Sequence, residues 1–118
     1  LVIADLNYDG AVACANEINA KYGANTAFAI KVNVGDEASV KEMFEATALT
    51  FGGLDVLVNN AGIVRAGSLD EMTKDNFEFV TLINYTAYYL CAKYASKIMK
   101  IQNRVAPGCQ LVVSRSAP

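Results

Sequence analysis

The chain of 118 residues is 53% apolar and 19% charged, and its formal net charge is −2. This composition is typical of a globular core rather than a disordered tail, and the charge balance does not favour nucleic acid or an anionic membrane as partners. No apolar run reaches the roughly 20 residues of a membrane-spanning helix, and we expect no signal peptide before the opening LVIADLN.

The sequence has no histidine and three widely spaced cysteines, Cys14, Cys91 and Cys109. Nucleophilic catalysis by Ser-His-Asp or Cys-His is therefore excluded within these residues. The ligand spacing of a zinc site is also missing, so we expect no metal. We interpret the cysteines as reduced and mostly packed, in a cytoplasmic protein.

The first half of the chain contains two strand–helix units. Apolar runs predict the strands, and apolar residues at helical spacing predict the helices. Gly23 is the predicted stop of the first helix, and Asp36 is the predicted N-cap of the second. The predicted strands span 1–5 and 25–34, and the predicted helices span 7–23 and 35–53.

The second half contains a third and a fourth strand around one long helix. The third strand ends in Asn59 and Asn60, and Thr73 is the predicted N-cap of the helix. The predicted strands span 54–60 and 109–114, the long helix spans about 76–102, the loop before it spans 61–72, and a break spans 103–108.

The alternation of strands and helices predicts an α/β fold in one domain, a Rossmann-like parallel sheet with helices on both faces. Ligands bind such a sheet beyond the carboxyl ends of its strands. A buried amide is costly unless it is hydrogen-bonded, so Asn59 and Asn60 either brace the sheet or face a ligand. The polar or small residues at the predicted carboxyl ends are Asp5, Asn33, Asn60, Ala61, Gly62 and Ser114.

Several motifs resemble those of the short-chain dehydrogenase/reductase family, and the resemblance covers essentially the whole chain. LDVLVNNAGI resembles the NNAG segment after the family's fourth strand, and VIADLN resembles its second strand. VNVGDEASV resembles the segment beside the adenine, LINYTAYYLCAKYASKIM resembles the long helix with the catalytic asparagine, and QLVVSRS resembles the strand that delivers the catalytic serine.

The resemblance implies a binding site for NAD. Asp5, followed by Leu6, matches the acid that binds the ribose, and its charge would repel the 2′-phosphate of NADP. Asn33 stands where the family usually has aspartate, and its amide oxygen could still accept a hydrogen bond from the adenine amino group. Val34 would contact the adenine, and Asn59 would mainly be structural. The remaining cofactor-side residues would be Asn60, Ala61 and Gly62.

The resemblance also implies two residues of the catalytic machinery. Asn84 matches the helix asparagine that holds a water in a proton relay, and the alternative is a hydrogen bond between helices. Ser114 matches the serine that bonds the substrate, and the alternative is a polar strand end. Tyr89 and Lys93 fit the family's Tyr-x-x-x-Lys pattern, but they lie on the wrong helix, before the serine.

Two parts of the family pattern are missing from the chain: the Gly-rich turn after the first strand and the Tyr-x-x-x-Lys pair after the serine. Because the first strand sits in mid-sheet, we expect the chain alone to be inactive and poorly stable, or to complete its sheet with another chain. One hypothesis is that it is part of an NAD-dependent enzyme acting on an alcohol or ketone substrate, for instance a sugar alcohol or its phosphate. The other is a non-catalytic fragment that associates or binds nucleotide. Under either, helix 76–102 is the expected surface of a homo-oligomer.

Overall fold

The computed structural model of the chain describes residues 1–105 and 113–115, and the side chains of residues 1–104. Strands and helices alternate along these residues, and a π-helical segment, Leu82–Thr86, joins the two parts of the long helix. The elements are β1 (Val2–Asp5), α1 (Tyr8–Tyr22), β2 (Phe28–Lys31), α2 (Glu37–Phe51), β3 (Leu57–Asn59), α3 (Lys74–Thr81), α4 (Ala87–Val105) and β4 (Val113–Arg115).

The predicted N-caps of two helices are confirmed by their hydrogen bonds. The Asp36 carboxylate accepts a hydrogen bond from the Ala38 amide at 3.0 Å, which satisfies one of the free N–H groups at the start of α2. Thr73 caps α3 in the same way. Gly52 ends α2 in the left-handed conformation with φ of 79°, which a residue with a side chain adopts only under strain.

The strands form two parallel pairs. β1 pairs with β2, so that Asp5 lies opposite Lys31, and β3 pairs with β4, so that Val58 lies opposite Ser114. Among the described residues, no ladder joins β1 to β3. The predicted parallel direction is confirmed. The sheet is divided in two. The resemblance implies this division, because the family's first strand lies in mid-sheet and is not among these residues.

One core connects the two strand pairs. It contains Val32 beyond β2, Leu57 of β3, and the apolar faces of α2 and α4. The face predicted for α2 is largely buried, except that Phe51 is 43% exposed. Elsewhere, α1 packs on β1 and β2 through Ala11 and Ala15. The core residues on α2 and α4 are Val40, Met43, Phe44, Leu90, Cys91 and Ala95.

Three predictions of local structure are corrected. The third strand begins at Leu57 rather than Leu54, because the Leu54 amide donates to the Gln102 side chain at 2.9 Å instead of joining a ladder. The long helix begins at Lys74, is interrupted by the π segment and continues to Val105, three residues into the predicted break. Cys14 is exposed on the outer face of α1, so the packed position expected for it is wrong. Cys91 is buried as predicted, and Cys109 lies outside the described residues.

Candidate functional site

The carboxyl ends of β1 and β2 lie side by side. The Val32 amide donates to the Asp5 carbonyl at 3.0 Å, so the chain leaves both strands at the same edge. The exposed Asp5 side chain accepts a hydrogen bond from the Asn7 amide through Oδ1 at 2.8 Å. This contact orients the carboxylate and leaves its second oxygen for a ligand. The neighbouring Leu6 is 65% exposed, so an apolar side chain also faces solvent here.

A tight turn follows β2 at the same edge. Asn33 Oδ1 accepts from the Gly35 amide at 3.0 Å, and the Asn33 carbonyl accepts from the Asp36 amide at 3.0 Å. The Asn33 amide itself donates to Ser39 Oγ at 3.0 Å. The Asn33 side chain is exposed, whereas Val34 is half-buried against the core. The turn therefore holds one polar and one apolar side chain beside Asp5.

Gly35 brings this turn against the π segment of the long helix. A Cβ at Gly35 would lie 3.1 Å from Ile83 Cδ1 and 3.3 Å from Leu82 Cδ2, closer than most such contacts. A residue without a side chain therefore allows the turn to approach the helix. The turn after β2 and the π segment are neighbours although about 50 residues separate them in the sequence.

Asn84 lies in the π segment and clamps the loop after β3. Its Nδ2 donates to the Ile63 carbonyl, and its Oδ1 accepts from the Ile63 amide, each at 2.8 Å. A Cβ on the adjoining Gly62 would lie 3.5 Å from Asn84 Oδ1. The side-chain partner is thus a loop backbone and not another helix. One acceptor lone pair and one amide hydrogen of Asn84 remain for a ligand or water.

The two asparagines at the end of β3 have different surroundings. Asn59 is half-buried, and its Nδ2 donates to the Tyr88 carbonyl of α4 at 3.4 Å, which is a bracing contact. Asn60, Ala61 and Gly62 are exposed in the loop. Ser114 lies in β4 opposite Val58, so its backbone comes to the same end of the second strand pair.

The predicted site residues therefore form a series of neighbours rather than one closed pocket. Contacts lead from Asp5 through Val32 to the turn at Asn33, from Gly35 to the π segment, and from Asn84 to Ile63 and Gly62. Sequence reasoning missed the parts played by Gly35 and Ile63. The glycine directly after Asn33 and Val34 was the available signal for a close approach.

A separate open cavity of about 390 Å³ lies beside α3. None of the predicted site residues lines it, so we do not assign it to the site. Its lining consists of Phe77, Glu78, Phe79, Thr81, Leu82 and Thr86.

Lys93 of the Tyr89–Lys93 pattern makes a structural contact between two helices. Lys93 Nζ lies 2.7 Å from Glu37 Oε1, and Tyr94 OH donates to the same oxygen at 3.0 Å. The hydrogen bond from Lys93, with that from Tyr94, lowers the pKa of Glu37, and the bond to Glu37 raises the pKa of Lys93. These contacts tie α4 to α2, and Tyr89 itself is 60% exposed.

In the ranges 1–105 and 113–115, no three Asp, Glu or Cys side chains come together in a way that could hold a metal ion. In the same part of the chain, no helix combines the length and the apolar character needed to cross a membrane.

Comparison with curated sequences gives related oxidoreductases. Residues 1–115 match the family model described as enoyl-(acyl carrier protein) reductase. The uncharacterized oxidoreductase YuxG of Bacillus subtilis (strain 168) is 41% identical over 104 residues, which are 88% of this chain and 15% of that protein. Sorbitol-6-phosphate 2-dehydrogenase of Escherichia coli (strain K12) is 32% identical over 108 residues, which are 89% of this chain and 42% of that enzyme. The chain thus spans less than half of each relative.

Solved structures share the fold. Sorbitol-6-phosphate 2-dehydrogenase from Erwinia amylovora has a TM-score of 0.85 at 33% identity, over 95% of this chain and 43% of that one. A 3-ketoacyl-(acyl-carrier-protein) reductase from Brucella melitensis, complexed with NADH, has a TM-score of 0.83 at 27% identity, over 95% of this chain and 44% of that one. A short-chain dehydrogenase from Burkholderia cenocepacia J2315, in complex with NADP, has a TM-score of 0.74 at 35% identity. The match covers 82% of this chain and 39% of that one. The chain has this α/β Rossmann fold and belongs to the short-chain dehydrogenase/reductase family of oxidoreductases.

Proposed function

We propose that the chain is the adenosine-binding part of an NAD-dependent oxidoreductase that moves hydride between nicotinamide and an alcohol or ketone. The observation that carries this proposal is the exposed Asp5 carboxylate, oriented by the Asn7 amide beside the Asn33 turn. A carboxylate with a free oxygen at a strand end suits the two hydroxyls of a ribose. The bound nicotinamide would supply the redox chemistry, and the protein would position it.

The residues present fit the adenosine half of such a cofactor. Ala61 and Gly62 are small and exposed, so they let a ligand approach the backbone beside Asn60. Asp5 carries a negative charge where the 2′-phosphate of NADP would lie, and this charge favours NAD. Since related structures hold NADH in one case and NADP in another, the preference for NAD rests on Asp5 alone.

Asn84 and Ser114 are the proposed catalytic residues of this chain. Asn84 would hold a water through the lone pair and hydrogen that its bonds to Ile63 leave unused. Ser114 would hydrogen-bond the substrate oxygen, because its strand ends beside β3 at the same edge. A sugar alcohol or its phosphate is the substrate class that we favour. The supporting observation is the likeness to two sorbitol-6-phosphate 2-dehydrogenases.

We further propose that residues 1–118 are part of a larger Rossmann domain whose sheet receives another strand between β1 and β3. The two strand pairs share one core but no ladder among the described residues, as expected if another strand lies between them. On this proposal the 118 residues alone are inactive and only marginally stable. We place the enzyme in the cytoplasm.

The long helix, observed from Lys74 to Val105, is the proposed surface of a homo-oligomer. Tyr85 is 77% exposed and Tyr89 is 60% exposed, whereas Tyr94 packs against the core. Exposed tyrosines are typical of interfaces. The same surface supports the second candidate, a non-catalytic module that associates through this helix. Nucleotide binding that depends on Asp5 distinguishes the enzyme from a module that only associates.

Asp5 provides the test of the cofactor. We would measure, by calorimetry, the dissociation constants for NAD and NADP of the larger Rossmann domain that contains residues 1–118. The wild type is expected to bind NAD more tightly, and Asp5→Ser is expected to shift the ratio of the two constants towards NADP by about tenfold or more. Asp9→Ser, which removes another exposed acid nearby in α1, is the matched control and should leave the ratio unchanged. Equal ratios in the wild type and Asp5→Ser would contradict the proposal.

A further inference from the structure

The side-chain amide of Asn33 is already oriented by the backbone. Its Oδ1 accepts from the Gly35 amide at 3.0 Å. Because only the oxygen of a carboxamide accepts from an N–H group, this contact fixes which branch of the side chain faces the turn. The other branch, Nδ2, carries two hydrogens that no hydrogen bond among the described residues uses. A ligand at this exposed side chain therefore meets two donor hydrogens beside the one remaining lone pair of Oδ1.

The turn opposes rotation of this amide. Its backbone is held by the bond from Asp36 to the Asn33 carbonyl and by the bond from Asn33 to Ser39 Oγ, each 3.0 Å long. Gly35 is also held against Ile83. Rotating the amide by half a turn would set Nδ2 against the Gly35 N–H, so the bond would be lost and two donors would face each other. The orientation seen is the one that a ligand would meet.

We propose that Asn33 donates a hydrogen bond to the base of the bound dinucleotide, instead of accepting one from the adenine amino group. This inference rests on the proposed function, which places the adenine beside Asn33. A donor here requires an acceptor on the purine edge. Adenine offers its ring nitrogen N1 to Nδ2, whereas N1 of hypoxanthine carries a hydrogen and is itself a donor. A carboxylate at the same place would accept from that hydrogen and would have no donor to offer to N1 of adenine.

The test compares NAD with nicotinamide hypoxanthine dinucleotide, which carries the same charge at pH 7. Calorimetry on the larger Rossmann domain that contains residues 1–118 gives the ratio of the two dissociation constants. We expect the wild type to bind NAD about tenfold more tightly, because only adenine has an acceptor at N1. Asn33→Asp keeps an oxygen for the Gly35 amide and replaces the donor by an acceptor, so it should lose this preference.

A matched control is Asn7→Asp. Asn7 also lies at this edge and accepts a backbone bond, from Gly10 at 3.2 Å, so the variant adds the same charge and keeps the same kind of turn contact. Its ratio should equal that of the wild type. Because the ratio compares ligands of equal charge, a general electrostatic effect of the new carboxylate cancels.

The outcomes separate the two proposals. If both dinucleotides bind and Asn33→Asp leaves the ratio unchanged, Asn33 does not bond the base and the inference is wrong, while the proposed function stands. A wild type that binds both dinucleotides within about threefold of each other also overturns the inference, because Nδ2 would then make no bond to N1 of adenine. Failure of both dinucleotides to bind overturns the proposed function and the inference with it.

Discussion

Replacement of Asn84 by alanine should release the loop after β3 from the long helix. The two bonds between Asn84 and the backbone of Ile63, each 2.8 Å, are part-buried and join residues 21 positions apart. Through them, the side chain of Asn84 links the loop directly to the π segment. Alanine removes both bonds and leaves an amide and a carbonyl of Ile63 without these partners.

The expected loss in the free energy of unfolding is the difference between two opposing contributions, hydrogen bonding and helix preference. Two such hydrogen bonds contribute about 2 kcal/mol to the free energy of unfolding. Alanine returns about 0.6 kcal/mol because it is the better helix former. The net loss in Asn84→Ala is therefore about 1.4 kcal/mol. Asn16→Ala, at an exposed position within α1, has only the helix preference to gain, so it should raise the free energy of unfolding by about 0.6 kcal/mol.

Urea unfolding of the full chain measures both values, and amide hydrogen exchange reports on Ile63 itself. The Ile63 amide should exchange faster in Asn84→Ala than in the wild type, whereas Asn16→Ala should not change it. The reasoning is refuted if Ile63 keeps its protection in Asn84→Ala, or if both variants gain the same stability. Either result would mean that the clamp contributes nothing beyond helix preference.

Two further predictions concern titration and reactivity. The free energy of unfolding of the wild type should exceed that of Glu37→Gln at neutral pH, and the excess should vanish on acidification. The bonds from Lys93 and Tyr94 lower the folded pKa of Glu37 below its usual 4.5, so their contribution is present above pH 4.5 and is lost as the pH falls through the folded value. A difference independent of pH would contradict this account. Cys14 should react with a thiol reagent at pH 8 well before Cys91, since burial raises the pKa of Cys91 to about 11. Mass spectrometry of labelled peptides measures the two labelling rates, and equal rates would refute this prediction.

The sequence predicted those features whose physical cause is local. Asp36 caps a helix through an amide two residues away, and Gly23 ends one with a φ of 109°, which a residue with a side chain rarely adopts. Such signals involve only neighbouring residues. The order of strands and helices, and with it the parallel direction, follows from the spacing of apolar residues in the same way.

The features that escaped prediction depend on contacts between distant residues. The strand that was expected from Leu54 starts at Leu57 because Gln102 takes the Leu54 amide, 48 positions away. The π segment adds a residue to a turn inside an otherwise regular apolar pattern, and that pattern does not reveal it. The partner of Asn84 was equally hidden, because nothing near Asn84 in the sequence indicates Ile63.

The open edge of β1 explains why the helices, rather than the sheet, hold the described residues together. The Leu1 carbonyl accepts from Phe28 of β2 and the Asp5 carbonyl accepts from Val32 just after it, and in a parallel ladder alternate residues face the same neighbour. The backbone groups of Val2 and Ala4 therefore point away from β2, towards the side where the structure shows no paired strand among its described residues. The shared core between α2, α4 and Leu57 spans the division instead. A strand entering there would bond both pairs at once, and it would also fix the distance from Asp5 to Gly62 on which a dinucleotide site depends.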